Sequence, residues 1–424
     1  GSGKTAVLVQ RTIDFLTDKE APVPADKLLI VTFTRAAASE MRARLEKSLN
    51  KLIRENPGNK ALKRQSILLA QASIGTIHSF CADILREFFH VAEISQDFKI
   101  IGDKQKFDMK NAAVADVMDT VFSDPEYLPL VDAFTTERND RKLTEVILNL
   151  YEYMCSHPSP EKWLREKVEM YYDDIDPAHS PWGKVVLKEA GEQSEYCTAL
   201  LSSAIEISKD DDKLFELMGP FLNGEFEMYK GIHDSVLNDD WDTVRNKVLS
   251  MNFNRFPSVK GYKDDPLKNR IKELRDESKK IADGKLKRIF KISKEQCIKD
   301  FEKIGGIVTL LEKAVLMFSQ IYNERKSERS FLDYNDLEQL MLKLLYNDDK
   351  SLTKSAQELS GRFDLVMVDE YQDVNEVQDK IFTAVSRDRK NIFMVGDVKQ
   401  SIYSFRRAMP DIFIGYHESY SRYN

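Results

Sequence analysis

Phe363-Asp364-Leu365-Val366-Met367-Val368-Asp369-Glu370, an apolar run that ends in two acids, is the stretch on which the fold turns. Short runs of this kind, rich in β-branched residues, belong to strands buried on both faces of a sheet. Two more occur. Leu28-Leu29-Ile30-Val31 leads into Thr32-Phe33-Thr34, and Asn391-Ile392-Phe393-Met394-Val395 leads into Gly396-Asp397. Helical spacing accompanies them over residues 6–16 and 36–49, the second with Ala37, Met41, Leu45 and Leu49 four apart. Strands and helices in this alternation predict an α/β domain with a parallel sheet.

The middle of the chain reads differently. From about 104 to 327 it is rich in Glu, Lys, Leu and Met, with helical periodicity and few strand signals. Pro158 and Pro160, Pro177 and Pro181, and the segment from Gly261 to Pro266 read as breaks between helices. The expectation is a large all-α domain, 104–327, inserted into one α/β domain whose two parts are 1–103 and 328–424.

Bulk properties narrow the class. A chain of 424 residues is too long for one ordinary domain, and 42% hydrophobic with 31% charged residues is ordinary for a globular protein. No apolar run approaches the roughly 18 residues needed to span a bilayer, and no signal peptide opens the chain. No membrane role is expected. Cys81, Cys155, Cys197 and Cys297 lie far apart without a Cys-x-x-Cys pair. That spacing argues against a zinc site or a disulfide framework and favours a reducing cytoplasm. The net charge of −7 does not advertise a nucleic-acid binder, but phosphate contact depends on where basic residues cluster. From Ser258 to Lys294 there are thirteen Lys or Arg against six Asp or Glu. A surface for duplex DNA and a solvated helix face laced with i,i+4 pairs both account for that excess.

Gly1-Ser2-Gly3-Lys4-Thr5 matches the end of a G-x-x-x-x-G-K-[ST] phosphate loop and runs at once into a helical pattern. The chemistry asks for these residues. Glycines let backbone N–H groups close on phosphate oxygens, Lys4 reaches the β and γ phosphates, and the Thr5 hydroxyl is a ligand for Mg²⁺. A protein would hardly begin inside such a loop, so the chain is read as a fragment without its N-terminus. In phosphate-loop enzymes the first acid of a strand-end pair holds Mg²⁺ and the second orients or deprotonates the attacking water. Taken alone, Asp369-Glu370 also reads as a solvated strand end before a helix cap.

The order of segments is more specific than any one of them. GSGKT, VTFTRAAASEM, GTIHSFC, LDYNDLE, VDEYQD and VGDVKQSIYSFRRA follow one another along the chain. Together they resemble the ordered motifs of UvrD/Rep-type superfamily 1 DNA helicases. GDVKQSIYSFR, SHPSPEKWL at 156–164 and the insertion carrying KDDPLKNRIKELRDESKK are similar to the AddA family within that group, helicase–nuclease subunits that pair with AddB.

The resemblance implies a RecA-like phosphate-loop domain, ATP and Mg²⁺ as cofactors, 3′-to-5′ movement on single-stranded DNA, unwinding of duplex ends in break repair, and an AddB-like partner. It also implies roles. Gly1, Ser2, Gly3, Lys4 and Thr5 would hold the phosphates, with Thr5 and Asp369 on Mg²⁺. Glu370 would be the general base for water, and Gln400 the sensor of the γ-phosphate. Phe33, Tyr403 and Phe405 match aromatics that stack on bases, worth roughly 1–3 kcal/mol per base without regard to sequence. Taken alone, Phe33 and Phe405 suit core positions at least as well. Thr76, His78 and Ser79 match a second strand-contacting motif, although a histidine there also suits a structural hydrogen bond. Arg35 departs from the Asn or Lys of relatives yet keeps a charge for phosphate. Arg406 matches an arginine that bridges the ATP site and the DNA groove. Asp333 and Asp336 are read as structural. The arginines that complete the family's ATP site come from a second RecA-like domain, expected beyond residue 424, and a nuclease domain is expected further on.

Competing readings leave features unexplained. A non-hydrolysing DNA-binding subunit does not need Lys4, Thr5, Asp369, Glu370 and Gln400 intact. A phosphate-loop kinase leaves VTFTRAAASEM and GDVKQSIYSFR without purpose. A UvrD- or RecB-like repair helicase with no AddB partner differs in sequence outside this stretch.

Overall fold

The computed structural model of the chain describes residues 3–135, 141–173, 176–238, 241–387, 389–400 and 408–420. They form two compact units, Gly1–Leu164 with Lys313–Asn424, and Arg165–Glu312. The dividing points fall inside the helices Pro160–Glu169 and Lys294–Ser327, deeper in the helical region than residues 104 and 327.

The first unit is mixed α/β. Its strands are β1 (Leu28–Thr32), β2 (Ser73–Thr76), β3 (Lys99–Ile100), β4 (Phe331–Leu332), β5 (Leu365–Val368) and β6 (Ile392–Met394). Four of them make one parallel sheet in the order β2-β1-β5-β6, while β3 and β4 pair separately, also in parallel. Successive side chains of a strand point to opposite faces, and both faces of this sheet are covered. Leu28 and Ile30 of β1 and Leu365 and Met367 of β5 pack with Leu8, Ile13 and Leu16 of α1 (Lys4–Leu16) and Met41 and Leu45 of α2 (Arg35–Glu55). Leu29, Val31, Val366 and Val368 meet the other face, formed by α3 (Ile77–Glu87), α4 (Tyr334–Leu345) and α5 (Glu376–Val385). Each such side chain contributes roughly 1.5–3 kcal/mol by its burial. The apolar runs at 28–31, 363–368 and 391–395 are thus strands, slightly longer or shorter than their sequence limits. β2 was not anticipated. Ser73-Ile74-Gly75-Thr76 has one aliphatic side chain, and it is the ladder to β1 that makes it a strand.

Among the described residues the second unit has helices and no strand, with an irregular connection over 251–265. Its core gathers Leu187, Cys197, Leu201, Leu214, Met218 and Tyr229 from the helices Pro181–Ser208 and Asp212–Val236. Pro160, Pro181 and Pro266 each open a helix, where a missing N–H costs nothing, whereas Pro220 lies inside one. Within the basic stretch, Arg275 is buried against Glu225 at 2.7–3.1 Å, with Phe221, Phe253 and Phe256 around the guanidinium. Arg270 pairs with Glu273 and Lys287 with Asp283, so part of the positive excess is already matched by local acids.

The helix Lys294–Ser327 corrects one expectation. By length and composition it is apolar enough over eighteen residues to cross a bilayer. Glu312 and Lys313 interrupt the run, and Leu310, Leu311, Ala314, Val315, Phe318 and Tyr322 are buried within the chain. These side chains recur at helical spacing, so one side of the helix packs within the chain while about a third of the apolar window is buried.

Candidate active site

Parallel register brings the strand ends level. Thr32 pairs with Thr76, Val31 with Val368, and Val368 with Met394. The chain therefore leaves the sheet at Phe33, Ile77, Asp369 and Val395 along a single edge, the carboxyl ends of the strands, where open α/β sheets bind ligands. Asp369 extends the ladder by one residue, its N–H donating to Val31 O at 2.9 Å, and the Tyr371 N–H donates to Val395 O at 2.9 Å. Glu370 between them has a left-handed backbone, φ 52 and ψ 45, a strained region for this residue type.

Three of the sequence-predicted residues meet there. The Lys4 ammonium donates to Glu370 Oε2, and to Gln400 Oε1 at 3.0 Å. Gly3 precedes α1 with φ 71, makes no side-chain cap, and no acid occupies the helix's first turn. A helix start of this kind leaves N–H groups and the positive end of the helix dipole open to an anion. Gly1 and Ser2 lie outside the described residues. Thr5 is half-buried in the first turn of α1. Asp369 is 8% exposed, and burial pushes its carboxyl above the ordinary range, with the neighbouring Glu370 charge adding to the rise. The Glu370 N–H, at 3.0 Å from Asp369 Oδ1, and Lys4 oppose it. A divalent cation would oppose both upward causes, and a carboxylate and a hydroxyl such as those of Asp369 and Thr5 are oxygen donors of the kind Mg²⁺ takes.

The residues expected on DNA are arranged around β1 and β2. Phe33 is half-buried just past β1, and Arg35 is the exposed first residue of α2. A depression of about 390 Å³ takes in Arg35, Ser39, Arg42, Gly75, Thr76 and Ser79, joining two of the expected segments. Thr76 and Ser79 also cap α3 reciprocally, Ser79 N–H to Thr76 Oγ1 at 3.2 Å and Thr76 N–H to Ser79 Oγ at 2.8 Å. His78 packs on the Tyr334 ring, centroids 4.4 Å apart, with Nε2 3.1 Å from the buried Glu338 carboxylate. Glu338 accepts a further bond from Gln378 at 2.7 Å. Asp333 and Asp336 cap α4 as a reciprocal pair, with the Lys326 ammonium on Asp336 at 2.6 Å. Tyr403, Phe405 and Arg406 lie outside the described residues.

Two side chains of the site were not singled out in sequence. Glu338 and Gln372 sit inside the quoted segments LDYNDLE and VDEYQD, and that membership was the only available signal. Gln372 is buried and donates to Glu370 Oε2 at 2.7 Å, and its Oε1 accepts from the Asp397 N–H at 2.8 Å. Gly396 lies against it. A Cβ there would come 2.8 Å from Gln372 Oε1 and 2.9 Å from the Phe413 ring. Gly396→Ala should therefore destabilise the chain by about 1–3 kcal/mol, the usual range for overpacking. Chemical denaturation checks it, and an unchanged midpoint would show that the loop yields.

Comparison with known proteins follows the same lines. The profile of the UvrD/REP helicase N-terminal domain matches residues 1–421. The chain is 35% identical to the AddA ATP-dependent helicase/nuclease subunit of Ruminiclostridium cellulolyticum, over 99% of this chain and 35% of that protein. It is 36% identical to proteins of the same name in Clostridium beijerinckii and Clostridium perfringens, over 100% of this chain and 35% and 34% of theirs. The chain thus spans about a third of the length of the curated relatives it matches.

Proposed function

Because the chain belongs to the UvrD/REP helicase family, we propose that it is the motor part of an ATP-dependent DNA helicase of the AddA helicase/nuclease type. The sheet-bearing parts, 1–103 and 328–424, form a RecA-like phosphate-loop domain, and 104–327 is an all-α domain inserted into it. Movement is 3′-to-5′ on single-stranded DNA, in the processing of duplex ends for repair in the cytoplasm. An AddB-like subunit is the partner, and a nuclease domain completes the protein.

The observation that carries this reading is the convergence of Lys4, Glu370 and Gln400 beside Asp369 at the carboxyl edge of a parallel sheet. Gly1, Ser2, Gly3, Lys4 and Thr5 bind the phosphates of ATP. Thr5 and Asp369 hold Mg²⁺, which supplies charge neutralisation for the phosphates. Glu370 takes the proton of the attacking water, and Gln400 contacts the γ-phosphate and relays its presence. Phe33, Arg35, Thr76, His78, Tyr403, Phe405 and Arg406 are the DNA-binding residues of this reading, combining stacking with phosphate contact.

The test is ATP hydrolysis by the full-length protein with and without single-stranded DNA of unrelated sequences. Hydrolysis should depend on DNA and be indifferent to its base sequence. Turnover that ignores DNA would exclude the motor.

A further inference from the structure

We propose that Gln372 is the positioning residue for the Glu370 carboxylate and that it ties this carboxylate to the segment carrying Gln400; the proposal rests on the reading of Glu370 as the base.

The carboxamide is committed at both ends. Its Nε2 donates to Glu370 Oε2 at 2.7 Å and to Asp373 Oδ2 at 3.2 Å, and its Oε1 accepts from the Asp397 N–H at 2.8 Å. Reversing the amide would set its oxygen against two carboxylates and its NH₂ against an N–H, so the partners fix its orientation. At 1% exposure, water does not compete for it. The bonds then continue. The Gln400 N–H donates to Asp397 O at 2.9 Å, Gln400 Oε1 accepts from Lys4 at 3.0 Å, and Lys4 returns to Glu370 Oε2. Glu370, Gln372, Asp397, Gln400 and Lys4 form a closed ring of hydrogen bonds. Satisfied polar networks of this kind hold their members in one arrangement.

The ring opens at Lys4 once that ammonium is drawn to ATP. When Lys4 turns to phosphate, Oε2 loses its cation, and Gln372 is the donor that remains on it. Glu370 needs that restraint, because its left-handed backbone gives the carboxylate no ordinary helical or extended frame. Through Asp397 the same amide senses where Gln400 stands. Gln372 therefore couples the position of the base to that of the γ-phosphate sensor without touching either ATP or water.

The test uses the full-length protein, single-turnover ATP hydrolysis with single-stranded DNA, and binding of a fluorescent ATP analogue. Gln372→Met removes both ends of the amide at similar volume. Turnover should fall by about 10- to 100-fold, as expected for a misplaced catalytic group, with analogue affinity unchanged. In a Glu370→Gln background the same substitution should change the residual rate by less than about twofold, since both act through one carboxylate. A merely structural residue would give a full additional loss there, and that result, or wild-type turnover in Gln372→Met, overturns the proposal. Gln372→Glu keeps the acceptor for the Asp397 N–H but cannot donate to Glu370 when ionised. It should lose turnover like the methionine variant, and it carries the test if that variant fails to fold; wild-type turnover overturns the proposal here too. Failure of the underlying reading looks different: DNA-independent hydrolysis in the wild type, or hydrolysis that survives Glu370→Gln.

Discussion

Lys4→Ala should abolish DNA-stimulated ATP hydrolysis and weaken nucleotide binding together. The lysine side chain is 10% exposed, and its ammonium stands between the Glu370 carboxylate and the Gln400 carboxamide at the open start of α1. An ammonium held among carboxylate and amide oxygens is prepaid for a group with more negative oxygens, and the phosphates of ATP are such a group. Removing one preorganised donor to a charge-bearing oxygen typically lowers turnover by roughly 10²–10³-fold, and a full positive charge should exceed that. Folding should barely change, because the Glu370 side chain left behind is 33% exposed and can turn to water. Steady-state hydrolysis, analogue binding and a thermal melt separate these effects. A Lys4→Ala protein that binds and hydrolyses ATP normally would remove the first five residues from the site.

Glu370→Gln should behave differently, and the contrast is the sharper result. The amide has nearly the shape of the carboxylate and keeps an oxygen for the Lys4 ammonium and the Gln372 amide. Binding of the analogue should persist. What disappears is an acceptor for a proton, and positioned acid–base groups contribute about 10²–10⁴-fold. Single-turnover hydrolysis should fall by that order while affinity holds. The same fall in both quantities would make Glu370 a binding residue and leave the attacking water without an assigned base.

The sheet was legible because burial on both faces leaves a compositional trace. Leu28–Val31 and Leu365–Val368 are wholly apolar and end in turn or acidic residues after four or five positions, whereas the similar run at 6–9 continues into the longer helical pattern of α1. β2 left no such trace, being only partly buried and paired with β1 alone. The site was legible as a set of residue types, but its contacts were not. Nothing in the spacing of Lys4 and Glu370, 366 positions apart, says that they touch. The parallel register decides that. His78 and Glu338 met the same obstacle: the histidine's partner lies on α4, across a pairing of helices that periodicity does not specify. Gln372 was hidden for another reason. A buried amide is recognised by its partners, and two of those, Asp397 and Glu370, become neighbours only when β5 and β6 lie side by side.

The left-handed backbone at Glu370 bears on how this position would drift under a different pressure. Holding a non-glycine side chain there costs on the order of 1 kcal/mol, and asparagine or glycine would relieve much of it. Selection for thermal endurance alone would therefore favour sequences that have discarded the carboxylate. Consensus-style stabilisation of this protein carries a specific hazard at that one residue, since the sturdier chain would be an idle engine.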